Sequence, residues 1–117
     1  MRNKNLEKLI PITMEVFEKD KSKFSKETKG YFSSYGPSII MAGLRQTVKS
    51  YEGSKDKKYI NNIIWKIMGK MDSTWRDEKK SLDELVNSDK NRIPNKNRIL
   101  EVIVACKLCI KTFDLKV

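Results

Sequence analysis

The sequence predicts an all-α fold, a single-domain compact bundle of about five helices spanning residues 1–117. Apolar residues recur at the three-and-four spacing of a helix along most of the chain. A length of 117 residues suits one domain. The composition, 38% hydrophobic and 34% charged, indicates a globular protein with a highly charged exterior and excludes the disordered class.

The first predicted helix covers about residues 4–19 and is interrupted by Pro11. An interior proline removes one backbone hydrogen bond, so we expect either a kink at Pro11 or a helix that begins there. Residues 20–29 follow as a polar, lysine-rich connector with Phe24 as its single apolar anchor.

The strongest local pattern lies in residues 31–51, where we predict one helix entered through Gly36 and Pro37. Its buried face is predicted to carry Ile40, Met41, Leu44, Val48 and Tyr51. Gly43 lies inside this helix, where glycine is costly. We therefore expect Gly43 to let another backbone come close.

An aromatic cluster precedes that helix and consists of Tyr31, Phe32 and Tyr35. Exposed aromatic rings would be platforms on which nucleic-acid bases stack. We favour core packing, because aromatic residues at helical spacing near a helix entry usually lie in the interior.

The same stretch contains, in order, an aromatic residue, a proline, an isoleucine, a Gly-Leu pair and a Gln-Thr pair. These are Tyr35, Pro37, Ile40, Gly43, Leu44, Gln46 and Thr47. The pattern resembles the signature helix of the small subunit of type III-B CRISPR effector complexes, also called the Cmr complex. The resemblance is good over residues 27–51 and looser elsewhere. The tyrosine and tryptophan usual in the family's last helix are missing, and Leu108 stands roughly where the tryptophan would fall.

The next helix is predicted over about residues 57–71. Its apolar stripe consists of Ile60, Ile63, Ile64, Ile67, Met68 and Met71. Lys66 and Lys70 lie one turn apart on the opposite side, as Arg45 and Lys49 do on the preceding helix. Either pair alone is typical of a solvated face, but two such pairs with no acid between them favour phosphate contacts.

Two short segments follow. Residues 72–80 form a charged loop whose Trp75 either anchors a partner or, as we favour, folds back on the core. Ser81 and Glu84 form a capping box that opens a short helix through about residue 87. The inward side of this short helix is predicted to carry Leu82, Leu85 and Val86.

Residues 88–98 are basic and surround Pro94, which we predict to open the last helix. Arg92, Lys96 and Arg98 lie there beside free helix amides. Cations oppose the helix dipole at such a place, so an external anion bound there would explain them. A solvated loop is an equal alternative.

The last helix is predicted from about Ile99 to Leu115. One side carries Ile99, Val102, Ile103, Cys106, Cys109, Ile110 and Phe113, and another carries Leu100, Val104 and Leu108. A helix this apolar is either central to the bundle or shared with a neighbouring subunit.

The residues that commonly carry out catalysis or bind metal are scarce. Cys106 and Cys109 match the C-x-x-C string, but they lie deep in an apolar helix, and with no histidine and no other cysteine the chain cannot complete a usual zinc site. We expect buried structural thiols, no metal and no cofactor. The lack of histidine also removes the commonest general base, so we predict a protein that is not an enzyme.

The charge points to a polyanion as the first partner, with an acidic protein surface as the second. The chain has 25 Lys and Arg against 15 Asp and Glu, a formal net charge of +10. No apolar run approaches the roughly 20 residues of a membrane span, and residues 1–8 lack a signal's apolar core. We therefore expect a cytoplasmic location and no membrane partner.

The resemblance implies a function: a noncatalytic inner-filament subunit of an RNA-guided antiviral effector, stacked head to tail in several copies. Its partners would be the backbone and large subunits, copies of itself, and the duplex of guide RNA and target RNA, which other subunits cleave. Sequence-independent phosphate contacts suit that role. The candidate RNA-binding residues, taken from the sequence and not from the family motif, are Arg45, Lys49, Lys66, Lys70, Arg92, Lys96 and Arg98.

Three other functions remain open. A helix-turn-helix regulator would read DNA with one basic helix and show sequence preference. An all-α protein–protein adaptor would dock a partner on its last helix and use its charge for solubility. A small metal-free ribonuclease is the weakest alternative.

Overall fold

The structure, a computed structural model, describes residues 4–71, 81–88 and 92–112. Within these ranges the chain forms six α-helices and no β-strand. In chain order they are α1 (Lys4–Asp20), α2 (Thr28–Ala42), α3 (Leu44–Glu52), α4 (Lys58–Met71), α5 (Leu82–Ser88) and α6 (Arg92–Thr112), with a 3₁₀ turn at Lys21–Lys23. The predicted all-α class is confirmed. The predicted positions of Trp75 and Phe113 lie outside the described residues.

The sixth helix arises because the stretch predicted as one helix is two. Gly43 has φ +92°, a conformation that glycine adopts without strain. Its N–H still bonds the Ile39 carbonyl at 2.9 Å and closes α2, while its carbonyl accepts the Thr47 N–H at 3.1 Å and opens α3. The predicted close backbone approach is wrong, since a Cβ at Gly43 would meet nothing within 4 Å.

The predicted entry at Gly36 and Pro37 is also wrong, because α2 already begins at Thr28 and contains Pro37. Proline cannot donate to the carbonyl four residues earlier, which belongs to Ser33. Both Pro37 and Ser33 are exposed. Water can therefore bond the freed carbonyl, and the helix continues through the proline.

The break at Gly43 changes which residues α2 buries. Its buried side carries Thr28, Phe32, Tyr35 and Ile39, at spacings of four, three and four. Ile40 and Met41 lie off that side and are 67% and 89% exposed, so their predicted burial is wrong. Val48 and Tyr51, predicted on the same stripe, are buried in α3. The predicted stripe joined two helices that do not share a helical phase.

The helix α6 lies at the centre and packs against α1, α2 and α4. Its buried side carries Ile99, Val102, Ile103, Cys106, Cys109 and Ile110, as predicted. Gly36 gives α2 close access to it: a Cβ there would lie 3.7 Å from a methyl group of Ile103. Of the other predicted side, Val104 and Leu108 are 44% and 42% exposed.

The remaining helices follow their sequence patterns. The helix α1 starts before Pro11 and contains it, so a start at the proline is excluded. In α4 all six residues of the predicted stripe are buried or half-buried. The Ser81 hydroxyl accepts the Glu84 N–H at 3.2 Å, which is the expected N-terminal cap of α5. Phe24 packs edge-on against Phe17, their ring centroids 5.2 Å apart, and anchors the connector.

Gly30 lies within α2 and Gly43 lies at its C-terminal end, so substitutions of these two glycines give a matched test of the helix break. Gly43→Ala should lower the free energy of unfolding by about 1 kcal/mol or more, because alanine is strained at positive φ. Gly30→Ala should raise it by up to about 1 kcal/mol, since Gly30 is an exposed helical residue and a Cβ there meets nothing within 4 Å. Urea denaturation measures both. Equal effects of the same sign would contradict the break.

Candidate nucleic-acid interface

The helix α3 presents Arg45 and Lys49 to solvent. Both side chains are exposed, and they lie one turn apart, as the sequence predicted. The Lys49 ammonium lies 3.3 Å from Oδ1 of Asp83 in α5. Arg45 makes no ion pair with a residue in the described part of the chain. Arg45 is therefore the candidate whose charge is most available to an external anion.

The basic pair of α4 meets acids supplied by α1. Lys66 Nζ bonds both carboxylate oxygens of Asp20, at 2.9 and 3.0 Å, and the Asp20 side chain is only 9% exposed. Lys70 Nζ lies 3.0 Å from Oε1 of Glu15. Hydrogen bonding and charge from Lys70 lower the pKa of Glu15, which stays ionised. The α4 face lacks acids in its own sequence, but the fold places two beside it.

These ion pairs leave part of each lysine side chain accessible to other partners. The side chains of Lys49 and Lys66 are 44% and 47% exposed. An exposed ion pair such as Lys49–Asp83 contributes only about 0 to 1 kcal/mol, so a phosphate group competes with it readily. Lys66 is bound to a nearly buried carboxylate, so it would contact a phosphate with the exposed side of its ammonium while it keeps Asp20. The pairs do reduce the net positive charge that α3 and α4 present.

Two of the three candidates on α6 have described side chains. The predicted start of the last helix near Ile99 is wrong, because α6 begins at Arg92, and Lys96 and Arg98 belong to the helix and not to a loop before it. Lys96 and Arg98 are both half-buried, while the side chain of Arg92 lies outside the described part. Arg98 lines a narrow crevice together with Met68 and Met71 of α4. The fold thus brings Arg98 to the end of α4 that carries Lys70, whereas Lys49 of α3 lies against Asp83 of α5.

The aromatic cluster divides between core and surface. Phe32 and Tyr35 are fully buried, which confirms the predicted core packing, and Tyr31 is half-buried. Phe32 stacks on Phe17 with ring centroids 5.5 Å apart. Phe32 and Tyr35 cannot offer a face to a nucleobase, so Tyr31 is the member that remains open to a ligand.

A buried polar residue that the sequence did not single out joins three helices. The amide of Asn61 in α4 accepts the Tyr35 hydroxyl at 2.7 Å from α2. It also donates to the Val48 carbonyl and to Oε2 of Glu52 in α3, each at 3.0 Å. Burial raises the pKa of Tyr35 far above its usual range, so its hydroxyl remains a donor. An asparagine beside the isoleucine stripe was the only sequence signal.

The two cysteines are free, buried thiols, as predicted. Burial raises the pKa of both Cys106 and Cys109 and keeps them protonated. The Cys109 thiol points at the Ile10 carbonyl of α1, 3.7 Å away. No group of three metal-ligating side chains occurs in residues 4–71, 81–88 and 92–112. The C-x-x-C string is part of the packing between α1 and α6.

Comparison with known proteins yields no match to a family model, to a curated protein or to a solved structure. Among the described helices, none combines the length and apolar character needed to cross a membrane. The class defined by fold and surface is an all-α bundle with exposed cations on α3 and α4 and exposed apolar side chains on α2 and α6.

Proposed function

We propose that this chain is a noncatalytic, inner-filament small subunit of a type III-B CRISPR RNA-targeting effector complex. In this role several copies stack head to tail and help to hold target RNA paired to guide RNA in antiviral defence. The proposal rests on the resemblance of residues 27–51 to the family's signature helix and on the net charge of +10. The all-α fold is compatible with it.

One observation carries the proposal: the stretch with the resemblance also presents exposed positive charge, of which Arg45 makes no ion pair with a described residue. Arg45 and Lys49 stand exposed on α3, among the signature residues Leu44, Gln46 and Thr47. Lysine and arginine on a helix surface contact phosphate oxygens without reading bases, which suits a subunit that must hold any guide–target duplex. The other candidate cations, on α4 and α6, would extend such contacts.

The signature residues divide into those that shape the fold and those that face outward. Gly43 forms the helix break, and buried Thr47 bonds the Gly43 carbonyl at 2.9 Å and the Ser38 hydroxyl at 2.8 Å. Pro37 and Ile40 are exposed and do not belong to the buried core. A contact with a neighbouring subunit would account for them, because exposed apolar side chains often mark such contacts.

Affinity purification of the tagged protein from its native host tests the proposal. Guide RNA and other CRISPR effector subunits should co-purify with the wild-type chain. Ile40→Glu should lose most of these partners, because it places a charge in the proposed contact, whereas Ser34→Glu adds the same charge to another exposed position of α2 and should retain them. Sequencing of the bound RNA and mass spectrometry of the bound proteins give the result. A wild-type chain that brings down neither contradicts the proposal.

A protein–protein adaptor is the second candidate, favoured by the exposure of Ile40, Met41, Val104 and Leu108. The two functions differ in their need for charge. Reversing the charges of Arg92, Lys96 and Arg98 would leave partner binding unchanged in an adaptor, but would weaken RNA binding in an effector subunit. A marked preference for one DNA sequence would instead indicate a helix-turn-helix regulator.

A further inference from the structure

A cleft with aromatic and charged walls is lined by none of the six candidate cations whose side chains the structure describes. It opens between the turn that follows α1, the first part of α2 and the loop that leads into α4, and its volume is about 490 Å³. Two tyrosines, two lysines, two acids and one serine line it: Tyr31, Tyr59, Lys23, Lys55, Glu27, Asp56 and Ser25. The volume falls within the range of about 300 to 1,000 Å³ typical of small-molecule sites.

The two tyrosines give the cleft a fixed aromatic wall. Their ring centroids lie 6.4 Å apart, with an angle of 66° between the ring planes. The Tyr59 hydroxyl shares a 2.6 Å hydrogen bond with the hydroxyl of Thr28. The Lys57 ammonium lies 5.7 Å from the centroid of Tyr31 and holds that ring by a cation–π contact. Both rings are half-buried, so a planar ligand can stack on one of them and pack against the other at little cost in side-chain entropy.

The charged groups of the cleft carry both signs. Lys23 and Lys55 are exposed and supply two ammonium groups that can bind a phosphate. Glu27 and Asp56 are exposed acceptors for N–H groups. A hydrogen bond from Ser25 lowers the pKa of Glu27, which keeps its carboxylate ionised. A planar ligand that carries both an anionic group and an N–H donor would complement the aromatic wall and the charges of both signs.

We propose that this cleft binds one unpaired nucleotide of a single-stranded nucleic acid. The base stacks on the ring of Tyr31 and packs against Tyr59, whose plane lies at 66° to it. Its backbone phosphate contacts Lys23 and Lys55, and an amino group of the base donates to Glu27 or Asp56. Stacking on aromatic side chains beside a basic groove is the general mode by which proteins bind single strands. The proposal uses none of the candidate duplex contacts, so it stands whether or not the chain joins an effector complex.

Fluorescence anisotropy with a short, labelled single-stranded RNA tests the site. Tyr31→Leu removes the aromatic face at similar volume and should raise the dissociation constant about tenfold, whereas Tyr31→Phe keeps the face and should bind like wild type. Replacing both Lys23 and Lys55 by glutamine should weaken binding severalfold. The matched control makes the same change to glutamine at Lys8 and Lys111, two exposed lysines of α1 and α6, and this variant should bind like wild type.

Three results would overturn the proposal: no binding by the wild-type chain, unchanged binding by Tyr31→Leu, or an equal loss in the Lys8 and Lys111 control. A second measurement does not depend on the variants folding. Ultraviolet cross-linking of wild-type protein to 4-thiouridine RNA, followed by peptide mapping, should place the adducts on Tyr31 or Tyr59. Adducts confined to α3 or α6 would reject the cleft, while the co-purification test of the effector function would be unaffected.

Discussion

Asn61→Ala should lower the free energy of unfolding by about 2 to 4 kcal/mol, measured by urea denaturation followed by far-ultraviolet circular dichroism. The Asn61 side chain makes three hydrogen bonds, to Tyr35, to the Val48 carbonyl and to Glu52. Alanine cannot replace any of them. The fully buried Tyr35 hydroxyl would then have no described partner, which costs its full desolvation penalty.

The neighbouring residue is the matched control for this prediction. Asn62 is exposed on the same helix, so Asn62→Ala should leave stability unchanged or raise it slightly, because alanine favours helix. A double-mutant cycle isolates the hydrogen bond itself. The double variant of Tyr35→Phe and Asn61→Ala should be more stable than the sum of the single losses predicts, since each single change orphans the other group. Additive losses would show that the bond contributes no coupling.

Ile39→Ala should lower the free energy of unfolding by about 2 to 5 kcal/mol, whereas Ile40→Ala should change it by less than about 0.5 kcal/mol. Ile39 is fully buried and Ile40 is 67% exposed, although both lie on α2. The first substitution leaves a cavity in the core, while the second removes a side chain that is mostly in water. The same denaturation experiment measures both.

This pair also decides the helical phase of α2. The sequence pattern alone places Ile40 and Met41 inward, which would make Ile40→Ala the costly change. If Ile40→Ala lowered the free energy of unfolding more than Ile39→Ala, the result would support the single helix predicted from sequence and contradict the break at Gly43. The comparison needs no functional assay, since it depends only on which isoleucine contacts the core.

The spacing of apolar residues predicted the buried side of a helix correctly where one apolar stripe ran along one unbroken helix. The pattern of α4 predicted its buried isoleucine and methionine side chains because local spacing and tertiary packing agree there, although it did not indicate the buried Asn61. Near Gly43 the spacing continued through the glycine by coincidence, so the pattern could not reveal that φ becomes positive and the phase is lost. A glycine inside a helical pattern was the available signal, and a helix C-terminus was the interpretation that it required.

The candidate surface was less predictable, because it depends on contacts between residues distant in sequence. Lys66 meets Asp20 across 46 positions, and Lys70 meets Glu15 across 55. Nothing near either lysine indicates an acidic partner. The cleft also depends on residues distant in sequence, because Tyr31 and Tyr59 belong to different helices and meet only when α2 and α4 come together. Local patterns supply the charged and aromatic groups, and the fold decides which of them share a site.

Because both cysteines are buried, thiol labelling can report local opening of the helix bundle. Cys106 and Cys109 are the only thiols in the sequence, and both are held protonated inside the bundle, with Cys109 against α1. A thiol reagent reaches them when α6 separates from its neighbours, so the labelling rate depends on how often those openings occur as well as on the reactivity of the exposed thiols. Any ligand or neighbouring subunit that clamps α1 onto α6 will slow that rate, even if it binds far from the sulfur atoms.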